Sequence, residues 1–307
     1  MINRLLIRIK TVQLAYANLQ CHESRLYADE QLIEAVEATQ KLYNFLLALI
    51  VKTTDYRRHQ IETARHKFLP TDEELNPNTR FIDNQIARFI TEHSEVIDYC
   101  TKEQLTSDFD TELYRTIFEQ MEQMPLYQQY MTQAEQPTFE QDKQLWIEAI
   151  TQIFPQCEKL DEVLEERNIY WNDDLTTVLT AVIRAITAIK PASQMLRAGR
   201  TFVKEEDRQF AMDLYHYTLD EYQDNVRLIN TITPNWEADR MAMLDKVIMA
   251  AALSEIRHFI DIPVAISINE YVELAKHYGS ANSGRFINGI LDKVTKEWKA
   301  EGIIVMK

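Results

Sequence analysis

The chain has 307 residues, of which 46% are apolar and 26% are charged, which is typical of a folded protein and excludes a disordered one. Its formal net charge of −15 argues against a protein that binds nucleic acid over most of its surface. The three cysteines form no CxxC pair, which favours a reducing cytoplasm over a disulfide or zinc framework. We therefore expect a cytoplasmic protein.

The N-terminal segment and the longest apolar run exclude two kinds of membrane element. Arg4, Arg8 and Lys10 interrupt the apolar residues at the N-terminus, and no small-residue cleavage site follows them. Residues 42–51 are apolar over only half of the roughly 20 residues that a membrane span needs. We expect neither a secretory signal nor a membrane segment.

The negative charge is distributed unevenly along the chain. Residues 1–20 contain three basic and no acidic side chains. Residues 201–307 carry about −5, which leaves −13 for residues 21–200. Basic side chains are also frequent in residues 285–299. A local basic surface can therefore exist on this acidic chain.

Apolar periodicity and the positions of the eight prolines predict helices almost throughout. No alternating β-branched run bounded by turn residues predicts a strand. The predicted helices span, in chain order, residues 3–20, 29–66, 79–102, 109–133, 138–153, 158–167, 173–189, 205–230, 236–259, 264–278 and 281–300. The clearest loops are residues 68–80 and 191–207. The predicted fold class is all-α.

The first predicted helix combines an apolar stripe with basic residues. The stripe follows a helical period and consists of Leu5, Ile9, Val12, Tyr16 and Leu19. Arg4 and Arg8 lie four residues apart on another face, which is followed by Thr11. This pattern fits a core helix with solvated charges, and it also fits a helix that binds an anionic partner.

Three of the five glycines lie five residues apart near the C-terminus, at Gly279, Gly284 and Gly289. Pro263 is well placed to open a helix that Gly279 ends with a left-handed cap. Ser280 or Asn282 can then cap the next helix. Gly289 lies in the middle of that helix, where it costs about 1 kcal/mol relative to alanine. We interpret Gly289 as a site where another backbone packs closely.

The segment DIPVAISINEYVELAKHYGSANSGRFINGILDK, residues 261–293, resembles the signature of the NusB family of bacterial transcription antitermination factors. The shared pattern is Ile-Asn-Glu, Glu-Leu-Ala-Lys, an aromatic–Gly pair, Ser, a basic residue, Phe-Ile-Asn-Gly and Leu-Asp-Lys. Residues 244–259 continue the resemblance, as do residues 207–222 more loosely. Residues 8–20 are similar to the first helix of the family.

The resemblance implies a pair of three-helix bundles formed by residues 1–20 and 205–307. Residues 21–204 have no counterpart in the family that we can align, and they would form a large, acidic, helical insertion whose role the sequence does not define. The apolar runs at residues 42–51 and 175–189 are too hydrophobic for a disordered linker. We expect these runs to pack on the NusB-like bundles.

The resemblance also implies a function. NusB-like proteins are non-catalytic, need no cofactor and act in ribosomal RNA transcription within the RNA polymerase antitermination complex. They bind single-stranded boxA RNA together with the small-subunit ribosomal protein NusE. The positions that match the RNA-binding residues of the family are Arg4, Arg8, Lys10, Gln13, Tyr278, Asn282, Ser283, Arg285 and Phe286. The positions that match its NusE contact are Tyr16 and Asp245. A homodimer is a further option.

Two alternatives stay open at this point. A NusB-like helical domain can serve as a protein-binding scaffold without binding RNA. An enzyme would need a catalytic constellation, and Glu255 with His258 and Asp213 with His216 have the acid-x-x-His spacing of di-iron helix bundles. Pairs at this spacing arise by chance in so acidic a chain, and no P-loop, GxSxG or Rossmann-type glycine motif accompanies them. We therefore expect no catalysis.

Overall fold

The structure is a computed structural model of the full chain. The structure describes residues 4–21, 25–92, 95–107, 110–191, 196, 204–232 and 241–304. These described residues form helices and turns and contain no strand, which confirms the all-α fold class. The pattern of contacts divides the chain into two units, and we call residues 37–201 the middle unit and residues 2–36 with 202–307 the terminal unit.

The helices follow one another along the whole chain. In chain order they are α1 (Arg4–Cys21), α2 (Arg25–Arg65), α3 (Asp72–Leu75), α4 (Gln85–Glu92), α5 (Val96–Lys102), α6 (Thr111–Gln123), α7 (Pro125–Thr132), α8 (Phe139–Gln152), α9 (Glu158–Arg167), α10 (Trp171–Ala188), α11 (Glu205–Asp220), α12 (Tyr222–Ile232), α13 (Met243–His258), α14 (Val264–Tyr278) and α15 (Ser283–Ala300). Helix α2 begins in the terminal unit and ends in the middle unit, whereas the sequence analysis placed this boundary after residue 20.

Predicted and observed helices differ mainly where one apolar pattern covers two helices. The predicted helix 109–133 is two helices because Pro125 opens α7. The predicted helices 79–102 and 205–230 are also each two. By contrast, α9 and α14 begin and end at the predicted residues.

Three further predictions concern segments between helices. The predicted loop 68–80 contains the short helix α3, which begins with a capping box formed by Thr71 and Glu74. The predicted loop 191–207 lies mostly outside the described residues. Residues 236–240, which are the predicted start of the helix that precedes α14, also lie outside the described residues.

The middle unit has a hydrophobic core of its own. The apolar run at residues 42–51 lies on α2 and is buried in this core, together with most of the apolar side chains of α10. Aromatic rings add to it, and the rings of Phe81 and Trp146 lie 5.7 Å apart. These apolar runs are therefore buried in a core of the middle unit itself. Their packing on the NusB-like bundles stays a prediction.

Helix α13 is the centre of the terminal unit and packs against α1, α11, α12, α14 and α15. Every residue from 247 to 256 is buried, which is the pattern of a helix surrounded on all sides. The small side chains of Ala250, Ala251 and Ala252 lie in this stretch, where neighbouring helices approach. The residues of α13 therefore set the positions of the helices around it.

Helix α1 is buried over more of its surface than the single predicted stripe indicates. All residues from 6 to 12 are buried because α1 packs against both α11 and α13. Leu5, Tyr16 and Leu19, which belong to the predicted stripe, are only half-buried. A single periodic stripe describes a helix with one covered face, and α1 has two.

The interpretation of Gly289 as a close-packing site within the fold is wrong. Gly289 lies on the exposed side of α15, and a Cβ atom added there would meet no atom of the described residues within 4 Å. The described part of the fold therefore gives no steric reason for a glycine at this position.

Candidate nucleic-acid interface

A buried ion pair links α1 to α13. Glu255 is fully buried, and its carboxylate accepts two hydrogen bonds of 2.8 Å from the Nε and Nη2 atoms of Arg8. Ser267 and Tyr271 of α14 donate further hydrogen bonds to Glu255, at 2.6 and 3.0 Å. The Nη1 atom of Arg8 also lies 3.4 Å from Glu270. We call Arg8, Glu255, Ser267 and Tyr271 the clamp.

The geometry of the clamp compensates for the cost of removing two charges from water. Burial by itself would lower the pKa of Arg8, but the hydrogen bond and charge of Glu255 outweigh burial and raise it. Burial raises the pKa of Tyr271, and the neighbouring carboxylate of Glu255 acts in the same direction. Arg8 therefore stays charged and Tyr271 stays a hydrogen-bond donor. The clamp ties three helices together through one carboxylate.

Burial argues against a phosphate contact for two of the predicted RNA-binding residues. The side chain of Arg8 is only 4% exposed and is committed to Glu255. Lys10 is fully buried. Both residues lie in the part of α1 that is covered by α11 and α13, so neither can present its charge to a phosphate.

Removal of the Arg8 charge should destabilise the fold strongly. We expect Arg8→Met to lower the free energy of unfolding by about 3–5 kcal/mol, because it leaves the Glu255 carboxylate buried without its cation. The matched control is Arg4→Met, since Arg4 is 45% exposed and its ion pair with Asp207 spans 3.7 Å. That variant should cost no more than about 1 kcal/mol. Urea denaturation measures both, and equal losses would contradict a structural role for Arg8.

Gly279 joins α14 to α15 in an extended conformation. Its φ and ψ are −91° and −172°, so the predicted left-handed cap is wrong. The requirement for glycine is steric. A Cβ atom at Gly279 would lie 2.6 Å from the carbonyl oxygen of Ala275 and 2.6 Å from the Cβ atom of Ser283. Only glycine lets the start of α15 approach the end of α14 this closely.

A buried serine holds this joint in place. The Oγ atom of Ser283 accepts a hydrogen bond of 2.9 Å from the backbone N–H of Ser280. The same hydroxyl donates a hydrogen bond of 2.9 Å to Oδ2 of Asp245, at the start of α13. Ser283 and Asp245 were predicted to contact RNA and NusE, respectively. The structure brings them together as buried partners of each other, because α15 begins against the first turn of α13.

Other predicted residues of the joint are accessible. Asn282 and Arg285 are exposed, and Tyr278 and Phe286 are half-buried. Asn282 is the N-cap of α15 but makes no side-chain capping hydrogen bond, so the prediction that it can cap this helix is not met by its side chain. Among the described residues, Arg285 has no acidic partner within ion-pair distance. Arg285 is therefore an exposed cation in the first turn of α15 without an acidic partner in the described part of the chain.

The remaining predicted residues lie on α1. The guanidinium group of Arg4 lies 4.8 Å from the centre of the Phe210 ring and is also close to Asp207. Gln13 and Tyr16 are half-buried. The charge of Arg4 is thus partly compensated by α11, while that of Arg285 is not.

The sequence analysis did not identify Glu255, Ser267, Tyr271 and Glu270 as partners of Arg8. A signal was present, because Glu255 is the one charged residue in an otherwise apolar or small stretch, residues 247–256. A carboxylate in such a stretch needs a buried cation.

The two acid-x-x-His pairs do not form metal sites in the structure. Glu255 binds Arg8, and Nε2 of His258 lies 2.6 Å from Glu221. The ring of His216 lies 2.5 Å from Asp29. No group of three or more His, Cys, Asp or Glu side chains within the described ranges could hold a metal ion.

No helix in the described part of the chain is both long enough and apolar enough to cross a membrane.

Comparisons with known proteins find relatives of the C-terminal part of the chain. The model of the NusB family matches residues 187–296. Transcription antitermination protein NusB of Dictyoglomus turgidum is 41% identical over 110 residues, which are 36% of this chain and 76% of that protein. The NusB protein of Koribacter versatilis is 38% identical over 104 residues, which are 34% of this chain and 71% of that protein.

The share of each relative that is matched varies. The NusB protein of Chloroherpeton thalassium is 36% identical over 97 residues, which are 32% of this chain but only 46% of that protein. The chain thus spans about half the length of that relative. No solved structure is significantly similar to the chain. The matches to the other two relatives cover more than two thirds of each, and together with the family model they show that this chain belongs to the NusB family of transcription antitermination proteins.

Proposed function

We propose that this chain is a non-catalytic antitermination factor that binds boxA-type single-stranded RNA together with NusE. The observation that carries the proposal is the exposed Arg285, which has no ion pair among the described residues and lies beside the exposed Asn282 at the joint of α14 and α15. Positive charge that is neither buried nor paired is what an RNA phosphate requires. Membership of the NusB family supports the same function.

The neighbours of Arg285 supply the second requirement for single-stranded RNA. Unstacked bases bind to aromatic faces, and the half-buried rings of Tyr278 and Phe286 flank the joint. Gln13 on α1 is half-buried and offers a polar side chain. We propose that these residues, with Arg4, Asn282 and Arg285, form the RNA surface. Ser283 then acts as a positioning residue.

The two residues predicted to contact NusE differ in their accessibility. We keep Tyr16 as a candidate, because its side chain is half-buried and so partly accessible. Asp245 is only 7% exposed, and one of its carboxylate oxygens accepts the Ser283 hydrogen bond. We propose that Asp245 acts mainly by fixing the start of α15. The RNA polymerase antitermination complex is the proposed setting of both contacts.

The middle unit has no part in the proposed RNA contact. Most of the acidic charge of the chain lies in residues 21–200, which would repel a phosphate backbone. We propose that this unit, which has its own core, is an insertion that serves a protein contact.

The chain alone should bind boxA-type RNA weakly, and NusE should strengthen the binding. Arg8 and Lys10 are buried and Arg4 is partly paired, so few phosphates can be neutralised. The logarithm of affinity should therefore fall only shallowly with the logarithm of salt concentration, by about 0.7 for each phosphate contact. Fluorescence anisotropy on boxA-type and scrambled oligonucleotides, with and without NusE, measures this. Equal affinity for both RNAs when NusE is present would contradict boxA recognition.

Reversal of the charge at Arg285 should weaken RNA binding without unfolding the protein. We expect Arg285→Glu to change the free energy of unfolding by no more than about 0.5 kcal/mol, since the side chain is exposed. The matched control is Arg115→Glu, which reverses a half-exposed arginine of the middle unit. Its RNA affinity should stay at the wild-type value.

The Arg285 experiment also separates the proposal from its alternative. A protein-binding scaffold without RNA function would bind NusE but show no boxA preference in either variant. Unchanged RNA affinity in Arg285→Glu would remove Arg285 from the RNA surface.

A further inference from the structure

Gly289 is an unexplained glycine in the middle of an exposed helix face. It lies on the solvent side of α15, two turns from the start of the helix. Within the described ranges a Cβ atom there would meet no neighbouring atom within 4 Å, in contrast to Gly279, where a Cβ atom would collide with two residues. Contacts with the described residues therefore do not require glycine at position 289.

A glycine within a helix lowers stability, because its backbone loses more freedom on folding than that of any other residue. Alanine at position 289 would avoid this loss and would meet no atom of the described residues. One use of glycine is to let a ligand approach the backbone more closely than a side chain permits. The described residues give no steric reason for Gly289, and a ligand that approaches the helix backbone would supply one.

The side chains around Gly289 indicate the chemistry of that ligand. Arg285 and Lys293 lie one turn before and one turn after Gly289 and are exposed. Lys296 is also exposed and lies 2.6 Å from Asp292, which it neutralises. Lys293 donates a hydrogen bond of 3.3 Å to the carbonyl oxygen of Ile232, which leaves its charge uncompensated by an acid in the described residues. Residues 285–299 contain four basic and two acidic side chains, of which the second acid is the exposed Glu297, so this part of α15 is locally basic on an acidic protein.

We propose that the sugar–phosphate backbone of single-stranded RNA lies against α15 at Gly289, with phosphates at Arg285 and Lys293. This inference rests on the proposed function and extends the RNA surface two turns along α15. The missing side chain at Gly289 allows a ribose or phosphate to reach the helix backbone. The residues from 285 to 293 span about 12 Å along the helix axis, so more than one nucleotide is needed to cover them.

The test is a series of substitutions that fill the space above Gly289. Gly289→Ala should raise the melting temperature by about 2–4 °C, because it removes the cost of a glycine in a helix. The same substitution should weaken binding of boxA-type RNA in the presence of NusE by about three- to tenfold, the size expected for one impaired backbone contact. Gly289→Gln should weaken it further. Stability and affinity should thus change in opposite directions.

The matched control is Ala300→Gln, which adds the same side chain at another exposed position of α15. We expect its RNA affinity to be that of the wild type. Lys293→Gln should reduce the slope of log affinity against log salt by about 0.7, the value for one phosphate on a single strand. Anisotropy titrations at several salt concentrations measure both effects.

Each outcome decides between the inference and the function on which it rests. Wild-type protein that fails to bind boxA-type RNA with NusE would overturn the proposed function and this inference with it. RNA binding that is lost in Arg285→Glu but unchanged in the Gly289 variants would overturn the inference alone. Sedimentation of Gly289→Gln as a smaller species than the wild type, with RNA affinity unchanged, would assign this face to a second copy of the chain instead.

Discussion

The terminal unit depends on one buried charge, the carboxylate of Glu255. Helix α13 is covered on all sides, so this carboxylate cannot reach water and must be satisfied inside the protein. Arg8 supplies the compensating positive charge, and Ser267 and Tyr271 donate further hydrogen bonds to the carboxylate. Such a pair contributes little net stability compared with apolar side chains, but it is costly to break and accepts only one arrangement of its partners. The clamp therefore fixes where α1 and α14 lie against α13.

Helix α13 also positions the proposed RNA surface, through Asp245 near its N-terminal end. Asp245 lies in the first turn of α13 and receives the hydrogen bond of Ser283, which sets the start of α15. Gly279 lets α14 and α15 meet closely enough for this bond to form. Arg285 follows Ser283 by two residues, in the first turn of α15, and is exposed. Both acidic residues of α13 thus bind side chains of the protein itself: Glu255 binds Arg8, and Asp245 binds Ser283 at the start of the helix that carries Arg285.

The sequence predicted some features well because they depend on local chemistry. The bounds of α14 follow from Pro263 and Gly279, and the all-α class follows from the periodicity of the whole chain. Features that depend on tertiary contacts were missed. The burial of Arg8 and Lys10 requires knowledge that α1 is covered by two helices, and periodicity reports only one face. Likewise, Gly279 and Gly289 belong to one series of glycines spaced five residues apart, but their surroundings differ. A Cβ atom at Gly279 would collide with its neighbours, whereas one at Gly289 would meet no atom of the described residues.

The central claim is that the two arginines have separate tasks: Arg8 holds the fold, and Arg285 is the arginine that we propose to contact RNA. The most direct test is the salt dependence of RNA affinity in Arg8→Gln and Arg285→Gln, at a temperature where circular dichroism shows both variants to be folded. The account predicts that Arg285→Gln lowers the slope of log affinity against log salt by about 0.7, while Arg8→Gln leaves the slope unchanged. An equal decrease in both variants would show that Arg8 also neutralises a phosphate, and it would contradict the account.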